Sequence, residues 1–292
     1  MRALIVGAGG FIGARLATVL AGRGVEVKRL SSREPTGIRP DTGALPPDFS
    51  IEPGTDVVVY VATSPLHREG SRGAAHLFAV NVHSAIVCAE AARRAGARRF
   101  VYTSTGNVYA PSFAPMAESA PLRRDDWYAL SKLHAEEALT LFRPAMDVVI
   151  PRLFGVYGPG QRGRLVPNLI ASVLAARPIR LLARPGAHGV PEGLRLSLGY
   201  IDDVVAVLAH LTLKGGPAYL NVAGPEVVSL REIADAIGRA LGKQPVFDAP
   251  GVERDLDLIA DIGLLQRGLA PTFTPFAEGL ARTLAEYPRP DA

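Results

Sequence analysis

The sequence predicts an α/β fold, a doubly wound parallel sheet followed by a smaller C-terminal lobe, and three observations carry that expectation. From Ala3 to about Ile150 short β-branched runs alternate with longer helical patterns, the runs are apolar at nearly every residue, and a glycine-rich turn follows the first of them directly. A strand that is apolar throughout has to be covered on both faces, and helices placed between parallel strands do that.

The elements follow in order. ALIVG is the first strand, FIGARLATVLAGRG the first helix and VEVKRL the second strand. The segment from Ser31 to Thr55 is rich in Pro, Gly, Ser and Asp, so the second crossover reads as mostly loop. DVVVYVA returns to the sheet, NVHSAIVCAEAARRAG forms a helix, RFVYTS is the next strand, and WYALSK opens another helix. After RLFGVYGPGQRGR the pattern becomes less regular: a helix VPNLIASVLAA, a strand PIRLL, GYI, a helix DDVVAVLAHLTL, the strand YLNVA, and a helix from Ser229. Ser229 with Glu232 three residues later forms a capping box, and Gly242 closes that helix. The predicted division is a dinucleotide-binding domain over 1–157, to which 196–224 returns, and a substrate-binding lobe made of 158–195 and 225–292.

Composition narrows the function classes. The 292 residues are 48% hydrophobic, enough for one large domain or two unequal ones. Lys and Arg number 32 against 28 Asp and Glu, a net charge of +4 with no dense basic block. Pairs such as Arg93-Arg94 and Arg98-Arg99 read as solvated faces rather than a nucleic-acid track. Cys88 is the single cysteine, so an internal disulfide is impossible and a reducing cytoplasm is the expected location. No uninterrupted apolar stretch of about 18 residues is visible, and no membrane or targeting segment is expected. His67, His76, His83, His134, His188 and His210 are scattered without ligand spacing, so no metal is expected.

GAGGFIG places Gly7, Gly10 and Gly13 between a strand and a helix, with Phe11 and Ile12 opening that helix. Gly7 permits the tight turn, Gly10 lets backbone approach a pyrophosphate at the helix N-terminus, and Gly13 allows close packing on the sheet. An acid at the end of the second strand would accept hydrogen bonds from a ribose 2′-hydroxyl and repel a 2′-phosphate. This chain has Ser31, Ser32 and Arg33 there, two hydroxyls and a guanidinium, which suit a phosphate. NADP(H) is therefore favoured over NAD(H).

Tyr128 and Lys132 are four apart and project from one helical face. A phenol with a pKa of about 10 carries protons poorly at neutral pH, but an adjacent ammonium favours the phenolate. TSTGNVY, at the carboxyl edge of the sheet, adds a hydroxyl from Thr105 or from Ser104, and spacing alone does not choose between them.

GAGGFIG, NVHSAIVCAEAARRAGARRFVYTST, YALSK followed by AEEAL, PRLFGVYGPGQ and GYIDDVV resemble the successive signatures of the extended short-chain dehydrogenase/reductase family, the NAD(P)-dependent epimerase/dehydratase group. The resemblance spans nearly the whole chain and implies a Rossmann doubly wound fold. It implies Thr105 as hydroxyl donor, Tyr128 as general acid/base, and Lys132 as the cation that lowers the tyrosine pKa and binds the nicotinamide ribose. Asn81 would support the cofactor and the active-site helix, and Ala62 would lie along the cofactor's ribose and phosphates.

The chain also departs from the family's pattern. Gly106 and Asn107 stand where sugar-nucleotide dehydratases carry an Asp-Glu pair, which argues against 4,6-dehydration because neither side chain exchanges a proton near neutral pH. Gly155 replaces the asparagine that touches the substrate diphosphate, and Leu196 stands where an arginine is often found, with Arg195 one place earlier. Asn107, Val166 and Arg195 are the candidate substrate contacts, Arg162 and Arg164 are further candidates to clamp a phosphate, and Trp127 either lines the cleft or covers the helix start.

The leading expectation is an enzyme acting on a secondary alcohol or ketone of a sugar, nucleotide-linked, as 4-epimerase or 4-ketoreductase. Reduction of a non-sugar ketone or aldehyde is the enzymatic alternative, and a non-catalytic NAD(P)-binding regulatory protein the alternative of another class. A homodimer is expected through the helices at 76–95 and 125–142.

Overall fold

The computed structural model describes residues 1–66 and 69–287, so His67 of the histidine reading lies outside the described residues. In chain order the elements are β1 (Arg2–Val6), α1 (Phe11–Gly22), β2 (Glu26–Leu30), β3 (Val57–Tyr60), α2 (Ala74–Phe78), α3 (Ser84–Arg94), β4 (Arg99–Tyr102), β5 (Ser104–Thr105), α4 (Trp127–Thr140) and β6 (Asp147–Leu153). There follow β7 (Val156–Tyr157), α5 (Leu165–Leu174), β8 (Ile179–Arg180), β9 (Arg195–Ser197), β10 (Gly199–Tyr200), α6 (Ile201–Lys214) and β11 (Tyr219–Val222). The chain ends with β12 (Val227–Ser229), α7 (Leu230–Leu241), β13 (Phe247–Asp248), α8 (Gly263–Leu269) and α9 (Phe276–Ala285).

The chain divides into two compact units, one of Met1–Ala110, Ala120–Leu153 and Val205–Leu220, the other of Pro111–Ser119, Phe154–Val204 and Asn221–Ala292. The main sheet has seven strands in the order β11-β6-β4-β3-β1-β2, with β5 beside β6. β1 pairs in parallel with both β2 and β3, so the chain leaves β1 to one side and then crosses to the other. That reversal opens a crevice at the carboxyl ends of β1 and β3, where the glycine turn lies. Every residue of β3 and β4 is buried, as the apolar run of β3 and the Phe100–Tyr102 stretch of β4 require, while Arg99 at the start of β4 is paired with Asp147 at 2.7 Å. The crossover between β2 and β3 carries no helix or strand, in keeping with its turn-forming composition.

The helices at 70–94 make one continuous run. A 3₁₀ turn over Gly70–Gly73 leads into α2, and a π turn over Ala79–His83 joins α2 to α3. At 25 residues, with a mean hydropathy of 1.3 over its most apolar window, this run passes the length and composition test for a membrane span. Val80, Ala85, Cys88, Ala89 and Ala92 are instead packed in the core with Val58, Tyr60, Phe100 and Tyr102 of the sheet. Burial pushes the Cys88 thiol well above its ordinary range, so Cys88 packs as a small apolar group.

The second unit is built from two-stranded pieces, β7 with β10, β9 with β12 and β8 with β13. The expected capping box is present: the Ser229 hydroxyl accepts from the Glu232 amide at 3.1 Å, and the Ser229 amide donates to the Glu232 carboxylate at 2.7 Å. Gly242 ends α7 at φ +63°.

Candidate active site

The glycine turn is fixed by contacts that leave no room for side chains. Gly7 has φ +93°, and a Cβ there would stand 2.7 Å from the amide nitrogen of Ala62; one on Gly13 would stand 2.3 Å from the Gly7 carbonyl. Ala62 is thus packed directly against the turn, on the next strand's carboxyl end. Leu30, the last residue of β2, accepts from the amides of Gly7 and Ala8 at 2.8 and 3.1 Å. Gly10 is the N-cap of α1 and brings no side chain, and the helix has no acid in its first turn. The first-turn amides, which include those of Phe11 and Ile12, have no intrahelical acceptor by the geometry of a helix start. A bare N-cap with outward amides and the positive end of the helix dipole fits the diphosphate of a dinucleotide.

Tyr128 and Lys132 stand on α4, whose start is set by Asp126: its carboxylate accepts from the Ala129 amide at 2.8 Å. Tyr128 is half-buried, whereas Lys132 is 2% exposed. The Lys132 ammonium donates to the Thr103 carbonyl at 3.0 Å and lies 4.7 Å from the centre of the Tyr102 ring. Burial lowers its pKa to about 7, against a smaller opposing effect of Glu136. Glu136 sits one helical turn further along, but its carboxylate is taken by Arg152, at 2.6 Å with both groups buried, and Arg152 also donates to the Tyr109 hydroxyl at 3.0 Å. Lys132 is therefore desolvated without an ion-pair partner among the described residues, and its ammonium form is weakened accordingly.

Asn81 ties this helix to the sheet. Its amide donates to the Ser131 hydroxyl at 2.9 Å, and Ser131 donates to the Tyr128 carbonyl at 2.8 Å. Its side-chain oxygen accepts from the Ser64 amide at 3.2 Å, just beyond Ala62. Asn81 belongs to the π turn, whose carbonyls are in turn engaged: Tyr60 donates to Val80 at 2.5 Å and Tyr102 to Asn81 at 2.9 Å. π turns are frequent where a side chain must be aimed at a functional site.

Thr105 and Ser104 end β5, which pairs with β6. The Thr105 hydroxyl accepts from the Asn107 amide at 3.2 Å and opens a short 3₁₀ turn over Gly106–Val108. The Ser104 hydroxyl is buried and has no partner among the described residues. Trp127 is 45% exposed and meets Phe78 edge-on, with 6.4 Å between ring centres.

At the end of β2, Ser31, Ser32 and Arg33 form a turn that Glu34 closes. The Glu34 carboxylate accepts from the Ser31 amide, the Glu34 amide donates to the Ser31 carbonyl at 3.2 Å, and the Arg33 amide donates to the Ser31 hydroxyl at 3.3 Å. The side chains of Ser32, Arg33 and Glu34 are exposed.

The remaining candidates lie in the second unit. Val166 is 1% exposed on α5, and Arg195 opens β9, its amide donating to the Asp257 carboxylate at 2.9 Å. The two departures at Gly155 and Leu196 are packed on each other. A Cβ on Gly155 would meet Leu198 at 2.6 Å and Leu196 at 3.3 Å, so leucine methyls fill the space into which an asparagine side chain would start. Arg254 is held by Asp257 through two contacts of 2.9 and 3.2 Å. Among the described residues no group of three His, Cys, Asp or Glu side chains could hold a metal ion.

The structure thus gathers Gly7, Gly10, Phe11, Ile12, Gly13, Ser31, Ala62, Asn81, Thr105, Asn107, Tyr128 and Lys132 in the first unit. Sequence reasoning missed Glu34, Tyr102 and the Glu136–Arg152 pair. Glu34 alone had a readable signal, since Ser31-x-x-Glu34 has the same spacing as the capping box at Ser229.

Comparison with known proteins bears on the family and the fold. Residues 3–223 match the family model described as the NAD dependent epimerase/dehydratase family. A UDP-glucose 4-epimerase of Mycolicibacterium smegmatis is 30% identical over 86% of this chain and 86% of its own length. A dTDP-4-dehydro-6-deoxy-D-allose reductase of Streptomyces bikiniensis is 27% identical over 82% of this chain and 81% of its own. The structure of MoeE5 in complex with UDP-glucose and NAD superposes with a TM-score of 0.81 at 26% identity, covering 98% of each chain.

Proposed function

Because the chain belongs to the NAD dependent epimerase/dehydratase family, we propose that it is an NAD(P)-dependent enzyme that oxidises or reduces a secondary alcohol or ketone carbon of a nucleotide-linked sugar, as a 4-epimerase or 4-ketoreductase. The observation that carries this reading is the buried, carboxylate-free ammonium of Lys132 on the same helical face as Tyr128. A positive charge in a low-dielectric site favours the phenolate, so Tyr128 becomes able to take a carbinol proton or to return one to a carbonyl oxygen. Thr105 supplies a hydroxyl to the same oxygen, with Ser104 as the second candidate. Asn81 and Ser131 fix the helix backbone at Tyr128, which preserves the alignment on which proton transfer depends. When bound, NAD(P) supplies the hydride acceptor or donor, and the glycine turn with the α1 amides would hold its diphosphate.

Gly106 and Asn107 leave no acid and base pair beside Thr105, which supports hydride chemistry without elimination of water. The apolar packing of Leu196 and Leu198 on Gly155 favours a second reading, reduction of a non-sugar ketone, because it removes one polar contact to a substrate diphosphate. Arg195, Arg162 or Arg164 would then have to hold that group in the leading reading. For the cofactor, Ser31, Ser32 and Arg33 favour the 2′-phosphate of NADP(H), whereas the carboxylate of Glu34 beside Ser31 opposes it. A homodimer is part of the proposal, supported by exposed Trp127 and Leu141 near the two ends of α4 and tested by light scattering, and so is a cytoplasmic location, supported by the single cysteine Cys88.

The test is turnover on a panel of nucleotide sugars and their 4-keto forms, followed at the nicotinamide absorbance and by isomer analysis. Isomer formation without net cofactor consumption identifies an epimerase, and steady consumption a reductase. Tyr128→Phe is expected to lower turnover by about 10²–10⁴-fold, and an undiminished rate on the true substrate would sink the mechanism.

A further inference from the structure

The acid that is missing from the end of β2 is returned to that position by the turn that follows. Ser31 is the residue directly after the strand, and it lies against the phosphate-binding turn: a Cβ on Gly9 would be 3.1 Å from the Ser31 Cβ. Ser31-Ser32-Arg33-Glu34 closes like a capping box although no helix follows, with the Glu34 carboxylate accepting from the Ser31 amide. The chain folds back so that a carboxylate borne three residues further on reaches the strand's carboxyl end. That is where a ribose 2′-hydroxyl is read in a doubly wound sheet.

We propose that Glu34 is the cofactor-selecting residue of this chain, accepting the ribose 2′-hydroxyl of NAD(H) and repelling the 2′-phosphate of NADP(H). The assignment rests on the dinucleotide reading above and goes against the expectation drawn from Ser31, Ser32 and Arg33. The carboxylate is negatively charged at neutral pH: hydrogen bonds from the Ser31 hydroxyl hold it below the ordinary glutamate range, helped by the nearby Arg33 charge. Arg33 is accordingly not a lone cation waiting for a phosphate, since a neighbouring anion already offsets part of its field. One carboxylate oxygen is used on the Ser31 amide, which leaves acceptor capacity for a hydroxyl donor.

The experiment needs no knowledge of the substrate. Binding of NAD⁺ and NADP⁺ to the full chain is measured by titration calorimetry, for the wild type, Glu34→Gln and Glu34→Ala. The wild type is expected to bind NAD⁺ at least about tenfold more tightly, and both variants to shift the NAD⁺/NADP⁺ ratio by about tenfold or more towards NADP⁺, as removal of a charge a few ångströms from a phosphate requires. Glu34 is exposed, and the ratio of two ligands on one sample is insensitive to loss of folded protein. A wild type that prefers NADP⁺, or a ratio unchanged in Glu34→Gln, overturns the assignment while leaving the proposed reaction standing. Glu34-dependent NAD⁺ preference without turnover of any nucleotide sugar upholds it and overturns the substrate reading instead. Absence of binding to either nucleotide overturns both.

Discussion

Two buried cations, one in each unit, are satisfied in opposite ways. Arg254 of the second unit has a fully buried carboxylate, Asp257, gripping it through two contacts of 2.9 and 3.2 Å. Lys132 of the first unit is buried as deeply, yet it has one backbone carbonyl and an aromatic face, while the nearest acid on its own helix is committed to Arg152. A closed pair serves the scaffold, because nothing is left over to interact with a ligand. An ammonium held in a dry place with spare donors costs stability and is retained where chemistry needs it.

That contrast can be broken by substitution. The largest expected effect is on the closed pair: Asp257→Ala leaves the Arg254 guanidinium buried without its anion and should cost about 3–5 kcal/mol, measured by chemical denaturation. A loss under about 1 kcal/mol would mean that the pair contributes no more than a surface one. Lys132→Met is expected to lower turnover by about 10²–10⁴-fold without lowering stability, so a variant that is both inactive and markedly less stable would erase the distinction drawn here.

The pH dependence sharpens the same point. With a folded value of about 7 against 10.5 for the ordinary lysine, Lys132 binds its proton more weakly in the folded chain than in the unfolded one. Its penalty is fully present below about pH 7 and is relieved as the pH rises towards 10.5, a window in which the unfolded chain holds the extra proton. The stability of the wild type relative to Lys132→Met should therefore rise across that window. Taking the difference removes the opposite contributions of Cys88, Tyr60 and Tyr102, whose values burial raises. A smaller effect, about 1 kcal/mol, is expected for Tyr102→Phe, which keeps the ring under Lys132 but leaves the Asn81 carbonyl without its donor. Its alkaline activity limb should stay where the wild type's is, whereas Tyr102→Leu, which removes the ring, should move that limb to lower pH.

What was legible in the sequence divides along the range of the interactions. The glycine turn, the Tyr128–Lys132 spacing and the Ser229 capping box depend on residues close together in the chain, so spacing alone announces them. The parallel sheet was legible for a related reason, since strands buried on both faces must be apolar at nearly every position, as in β3. Tyr102 under Lys132, Arg152 on Glu136 and Asn81 on Ser131 join residues 16 to 50 positions apart or separate elements, and nothing in their local context marks them. The end of β2 is a third case. Residue types at 31–33 were weighed where they stood, and the return of the Glu34 carboxylate onto Ser31 is a property of turn geometry rather than of strand position.

The π turn at Ala79–His83 amounts to one surplus residue in a helix, and its effect extends along the whole run. Each residue of an α-helix advances the side-chain direction by about 100°. The helix before the turn is thereby rotated with respect to the helix after it, so that Leu77 of α2 is buried beside α4 while Ala85, Cys88, Ala89 and Ala92 of α3 pack on the sheet. Deleting a single amino acid anywhere between Ala79 and His83 would restore an ordinary helix and swing Asn81 off Ser131, and the length of this segment should tolerate neither insertion nor loss.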